Sequence, residues 1–131
     1  MAEIKWRDIL GWGQAEIVDL RHAAYAYIKQ GVYDVALTFF DALRILDPSS
    51  PYDLQTLGAL HLQMGNGLEA LDYLEQALKL EPTHLPTQLN RAKALFMLGY
   101  KKQGLSLAQE LEKSELPAIA SQAAALILAY Q

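Results

Sequence analysis

The run LDPSSPYDLQTLGALHLQMGNGLEALDYLEQALKLEP, Leu46 to Pro82, decides how this chain folds. It opens on Leu46-Asp47-Pro48 and closes on Leu80-Glu81-Pro82, so the same acidic-proline ending recurs after 34 residues. Gly31, Gly65 and Gly99 follow that spacing, Ala36 matches Ala70, and Gly104 takes the corresponding place one repeat later. Apolar residues recur at helical spacing on both sides of Gly65-Asn66-Gly67. The pattern predicts a unit of two helices, repeated along an all-α chain.

Bulk properties narrow what such a chain does. At 131 residues it reads as one domain, and with 52% hydrophobic residues it can bury a sizeable core. The net charge of -4, with acids and bases interleaved, argues against a nucleic-acid groove or an anionic-membrane patch. The absence of cysteine excludes disulfides and thiolate metal sites and is compatible with a reducing cytosol. Met1 to Gly11 holds Glu3, Lys5, Arg7 and Asp8 and lacks the apolar core of a secretory signal. No run approaches the ~20 apolar residues of a membrane helix.

Residues 2 to 12 read as a short amphipathic helix, with Trp6, Ile9 and Leu10 on one side and Ile4 nearby, broken by Gly11-Trp12-Gly13. The two tryptophans are expected to pack on the first repeat; the alternative is self-association or contact with a second small subunit. Helices are then expected over about 15–30 and 33–46, over 51–64 and from after Gly65-Asn66-Gly67 to near Leu80, and from after Pro86 to Leu98 and 101–113. Gly31 ends the first of these, Pro48 stops the second, and Ser50 and Pro51 suit the start of the third. Ser114 is the expected cap of a last helix, Pro117 to Tyr130. Ile119, Ala123, Leu126, Ile127 and Tyr130 make one stripe of that helix, of which the first four should seal the helix before it. A second, Ala120, Ala124 and Leu128, is left with nothing in the chain to cover it. The expected closure is a pairing of identical helices, so that the protein forms a homodimer or associates weakly.

Over roughly residues 17 to 117 the chain resembles the tetratricopeptide repeat proteins. Pro51, Leu54, Leu57, Gly58, Gly65, Ala70, Ala77 and Pro82 match the repeat in 51–84; Leu20, Ala24, Tyr27, Gly31, Ala36, Phe40 and Pro48 match it in 17–50. Ala92, Leu95, Gly99 and Ala108 match it in 85–116, with Arg91 at a usually apolar place and Gly104 at the helix-packing alanine. Leu43 stands where a small residue is usual. The resemblance implies a solenoid of three helix pairs, with an amino-terminal helix in 1–13 and a capping helix in 117–131.

It also implies a concave face lined by the first helix of each pair. The positions carried over are Val18, Arg21, Tyr25, Ile28 and Lys29, then Tyr52, Gln55, Ala59, Leu62 and Gln63, then Pro86, Leu89, Lys93, Phe96 and Met97. Tyr25, Ile28, Tyr52, Leu62, Leu89, Phe96 and Met97, with Lys93 among them, are expected to form an exposed trough for an amphipathic or extended peptide. The alternative is that the amino-terminal helix fills it. On the trough reading, Leu62→Glu or Phe96→Glu should leave helicity and melting nearly unchanged. A clamp for chaperone carboxyl termini would use Arg21, Tyr25, Gln55, Ala59 and Lys93; only Arg21 and Lys93 have the charge, and asparagine is missing at 25 and 59.

Catalytic and metal chemistry find no footing. His22, His61 and His84 lack a helical i, i+4 partner, and His61 sits at a packing position. Asp41, Asp47 and Asp53 read as caps and solvated faces. Gly11-Trp12-Gly13 and Gly65-Asn66-Gly67 lack the strand and lysine of a phosphate loop. No enzyme, cofactor or metal is expected.

Gly31-Val32-Tyr33-Asp34 with Phe39 to Asp47, Leu57 to Gly65, and Leu107 to Leu111 resemble the small tetratricopeptide chaperones of bacterial type III secretion. Pro51-Tyr52-Asp53 departs toward a generic repeat. This resemblance implies a cytoplasmic, non-catalytic chaperone. Its client would be a needle subunit, held with a small helical co-chaperone, or a pore-forming translocator; the short chain leans to the needle branch. The competing expectation is a general adaptor in another assembly.

Overall fold

A computed structural model describes residues 5–131. Among these are eight helices and no strand: α1 (Trp6–Leu10), α2 (Gln14–Lys29), α3 (Tyr33–Leu46), α4 (Pro51–Gln63), α5 (Gly67–Leu80), α6 (Leu85–Met97), α7 (Lys101–Glu112) and α8 (Pro117–Tyr130). The expected all-α helix-pair fold is what the chain adopts. Ile4, assigned from the pattern to the first helix, lies outside the described residues.

The 34-residue period is a period of backbone geometry. Gly31, Gly65 and Gly99 take φ of +77°, +81° and +86°, the left-handed region that glycine enters without a Cβ penalty. At each, the next residue's N–H reaches back to the last turn: Val32 to the Tyr27 carbonyl at 2.9 Å, Asn66 to His61 at 2.8 Å, Tyr100 to Leu95 at 2.8 Å. This is the Schellman closure, which satisfies carbonyls that a helix end would otherwise orphan. A Cβ on Gly65 would meet nothing within 4 Å, so a substitution there is a test of backbone strain alone. Gly65→Val is expected to lose about 1 kcal/mol or more in denaturant titration, and wild-type stability would remove this turn from the account.

Two details differ from the local signals. Pro86 sits inside the first turn of α6, which begins at Leu85, because first-turn N–H groups have no helical partner to lose. Ser114 does not cap α8: the capping residue is Leu116, and Ser114 Oγ instead accepts the Leu116 N–H at 3.1 Å, one step ahead of the helix.

Contacts divide the chain into two compact units, one up to Asp53 and one from Leu54 to Gln131. In the first, α2 and α3 bury Ile17, Ala24, Ala36, Phe40 and Leu43, with Tyr27 stacked on Phe39 at 5.4 Å. Helix α1 rests against α3 with no buried residue of its own. Trp6 and Trp12 line a cavity of about 380 Å³ with Ile45, Leu46 and Pro48. The tryptophans do meet the first helix pair, yet Trp6 stays 47% exposed and Ile9 64%.

In the second unit α4 and α5 approach so closely that a Cβ on Gly58 would lie 2.5 Å from Leu74 Cδ2. Gly104 in place of the usual alanine has a similar cause: a Cβ there would lie 2.8 Å from the Phe96 ring. Helix α8 packs on α7, as expected, and also on α6. Leu89, Leu111, Ile119 and Ala123 form one buried cluster, with Leu85, Leu107 and Leu126 against it.

Candidate functional site

The strongest polar feature lies in the first unit. Arg21 Nε donates to Asp53 Oδ1 at 2.8 Å, and its Nη2 donates to Asp53 Oδ2 at 2.7 Å and to Asp47 Oδ2 at 3.2 Å. The guanidinium also lies 5.9 Å from the centre of the Tyr52 ring. Its proton is held more tightly than in water: hydrogen bonding to Asp53 outweighs desolvation, and the charges of Asp53 and Asp47 add to it. Two expectations change here. Asp53 is 1% exposed, a buried ion-pair partner and not part of a solvated face. Arg21 is committed to two carboxylates, so it is not a cation offered to a ligand.

Tyr25 lies one helical turn beyond Arg21 on α2. It is 36% exposed, with its ring edge-on to Phe40 at 6.1 Å and tilted against Tyr52 at 5.7 Å. Ile28 and Tyr52 are half-buried, and Lys29 is exposed. His22, Tyr25, Ala26 and Lys29 line an open hollow on α2.

In the second unit Met97 is 45% exposed, beside the start of α5, where it would touch a Cβ on Gly67. Lys93 is half-buried. Leu62 is half-buried against Ala70, Leu74 and Ala94. Leu89 and Phe96, expected in the trough, are 3% and 6% exposed. The reason is α8: Ile119 and Ala123 cover Leu89, and Tyr130 stacks flat on Phe96 at 4.3 Å and 6°. These two are core residues, and a carboxylate at 96 would be buried.

Tyr130, 42% exposed, belongs to the expected stripe of α8, but its contact with Phe96 on α6 is what sequence reasoning missed. The signal was present: Tyr130 lies 34 residues after Phe96, as Phe96 does after Leu62. His61 behaves as a packing histidine, stacked on Tyr73 at 5.4 Å, with Asn66 Nδ2 donating to its Nδ1 at 3.3 Å. Among the described residues no three His, Cys, Asp or Glu side chains converge as a metal site, and no helix is long and apolar enough to cross a membrane.

Paired helices repeated every 34 residues, with glycine-closed first helices and small residues at the crossings, define a tetratricopeptide protein. The family model for anaphase-promoting complex, cyclosome, subunit 3, a tetratricopeptide-type family, matches residues 29–111, and the chain belongs to that family. No curated protein matches the sequence significantly. Among solved structures the chain is similar to the type III secretion translocator chaperone SycD of Yersinia enterocolitica: 22% identity, 98% of this chain and 99% of that one covered, TM-score 0.77. It is similar to PcrH in complex with the chaperone binding region of PopD: 22% identity, 92% and 94% covered, TM-score 0.79. It is also similar to the first tetratricopeptide domain of Spaghetti (RPAP3) bound to the HSP90 peptide SRMEEVD: 18% identity, 89% and 94% covered, TM-score 0.77. At these identities the likeness is one of fold.

Proposed function

We propose that this protein is a non-catalytic chaperone of the cytoplasm that holds an apolar or amphipathic segment of a type III secretion client, a translocator or a needle subunit, before export. The observation that carries the reading is apolar surface on first helices that pair packing leaves uncovered: Tyr25 and Val18 on α2, Met97 on α6. None of the positions carried over as concave is acidic, although the chain has 15 acids. Such a surface suits a segment that is apolar and carries carboxylates. Of two structures of like fold, each matched over more than nine-tenths of both chains, SycD is a translocator chaperone by description and PcrH is in complex with the chaperone binding region of PopD.

The physical logic is competition. A segment that polymerises or inserts by its apolar face is kept from doing so when that face is covered. Burying a few large apolar anchors contributes roughly 1.5–3 kcal/mol each before ordering costs, enough for reversible holding without a nucleotide. A general adaptor is the second reading, favoured by the likeness to the RPAP3 domain. Commitment of Arg21 to Asp47 and Asp53 weighs against its use as a carboxylate clamp.

Co-expression with the needle subunit and the translocators of the same cell tests the proposal. One of them is expected to become soluble and to co-purify in stoichiometric amount. If every such protein stays insoluble or elutes alone, the chaperone reading fails and the adaptor reading takes its place.

A further inference from the structure

One edge of the Leu54–Gln131 unit gathers its exposed apolar side chains. Gly67, at the start of α5, lies against Met97 and Leu98 at the end of α6. Phe96, beside them, meets Gly104 near the start of α7 and the Tyr130 ring at the end of α8. The ends of α4, α6 and α8 and the starts of α5 and α7 therefore share one edge, with the end of α6 at its middle. Eight large apolar residues of the unit are exposed. Six of them, Met64, Leu68, Met97, Tyr100, Leu128 and Tyr130, sit on this edge, from 38% to 78% exposed. The other two, Leu80 and Leu116, lie on the opposite edge. Exposed apolar surface concentrated in this way marks a contact with another molecule.

The charges on the same edge select that molecule. Glu69 stands in the first turn of α5, where the helix dipole favours an acid. Helix α7 opens instead on Lys101 and Lys102, cations at the positive end of a helix, with no acid in its first turn. All three side chains are exposed, and none has an ion-pair partner among the described residues. The other charges on these helices stand back from the edge. Asp72 and Glu75 are further along α5, with Lys79 near its far end; Arg91 and Lys93 are a turn or more back on α6. Asp53 lies at the far end of α4, Glu110 and Glu112 at the far end of α7, and α8 carries no charge. The edge is thus acidic at α5, apolar at its centre and basic at α7.

We propose that a second copy of this chain docks on this edge, about a two-fold axis near Met97. The rotation sets the start of α5 against the start of α7 of the other copy, and the end of α4 against the end of α8. Glu69 then faces Lys101 and Lys102 of the second copy, Leu68 faces Tyr100, and Met64 faces Leu128 and Tyr130. A two-fold contact makes each pairing twice, so an edge with opposite charges on either side of its centre is complementary to itself. An edge of one sign would repel its own copy. The unfavourable lysines at the start of α7 gain an acid from the partner that their own chain does not supply. This surface is not the outer stripe of α8 expected from the sequence: Ala120 and Ala124 are half-buried, and only Leu128, at the end of the helix, stays open. The proposal does not depend on the chaperone reading.

Sedimentation equilibrium of the full chain tests it. Wild-type protein is expected to dimerise at tens to hundreds of micromolar. Glu69→Lys by itself, and Lys101→Glu with Lys102→Glu, each set like charges opposite one another and should weaken the dimer about tenfold or more. Mixed in equal amounts, these two variants are complementary at both contacts, and a heterodimer of wild-type affinity should form. Circular dichroism checks that each variant is folded. Should a charge variant lose helicity, Leu68→Lys, at a residue 68% exposed, carries the test and should leave a monomer. Wild-type protein that stays monomeric throughout overturns the proposal. So does a dimer that every variant forms with wild-type affinity, and so do weakened charge variants that fail to recover on mixing. None of these outcomes bears on client binding, and the chaperone reading would stand.

Discussion

Phe96→Glu is expected to unfold the Leu54–Gln131 unit. The ring is 6% exposed, lies against Gly104 and is stacked on Tyr130. Removing a buried phenylalanine costs about 3–5 kcal/mol through lost transfer energy and the cavity left behind. A carboxylate in its place adds the penalty of a buried charge with no partner, several kcal/mol more. A domain of this size is stable by only about 5–15 kcal/mol, so the sum takes most or all of it. Circular dichroism should show lost helicity and no cooperative melt near the wild-type temperature. A folded Phe96→Glu protein would return this residue to an exposed trough and remove α8 from its cover. Met97→Glu, one residue on and 45% exposed, is the matched control and should melt nearly as wild type.

Arg21→Ala should produce the second large effect. It leaves Asp53, 1% exposed, as a buried carboxylate without its guanidinium. Truncating one partner of a buried pair costs about 3–5 kcal/mol, and the urea midpoint should fall accordingly. Arg21→Lys should not rescue it, because a point ammonium cannot hold Asp53 bidentately and reach Asp47 as well. The double variant Arg21→Met, Asp53→Leu should recover most of the loss, since an apolar pair of like volume has no charge to bury. The raised pKa of Arg21 sets the pH dependence: its contribution is fully present below the ordinary arginine value and is lost only as pH rises through the raised one. Stability lost instead between neutral and mildly alkaline pH would come from another group. An Arg21→Ala protein as stable as wild type would show that the pair is not holding the first unit together.

The order and extent of the helices were legible because each is punctuated locally. Gly31, Gly65 and Gly99 stop first helices by backbone conformation, and Pro48 and Pro82 follow the ends of second helices. Such signals need no knowledge of what lies elsewhere in the chain. Asp53 illustrates the limit: beside Pro51 at a helix start it has every mark of a cap, and its partner is 32 residues away on α2. Leu89 and Phe96 illustrate another. Their positions face a groove in a repeat that ends the array, and they face a neighbour when one more first helix follows. Helix α8 has so few polar residues that its pattern does not say which side packs where, and it marks a cover for α7 without marking the contact with α6. Spacing from Phe96 to Tyr130 was the available clue. Gly104 is a departure in sequence and the complement of a large ring in the fold, because the Phe96 ring lies on another helix.

On the proposed function, exposed side chains of the first helices, which folding does not need, bind the client. The most direct measurement is the affinity of the co-purified client for Val18→Glu and Met97→Glu proteins, at residues 37% and 45% exposed, read beside their melting curves. Both should melt close to wild type and bind about tenfold or more weakly, about 1.4 kcal/mol each. Wild-type affinity in both, with folding intact, would contradict the claim and place the client on another surface.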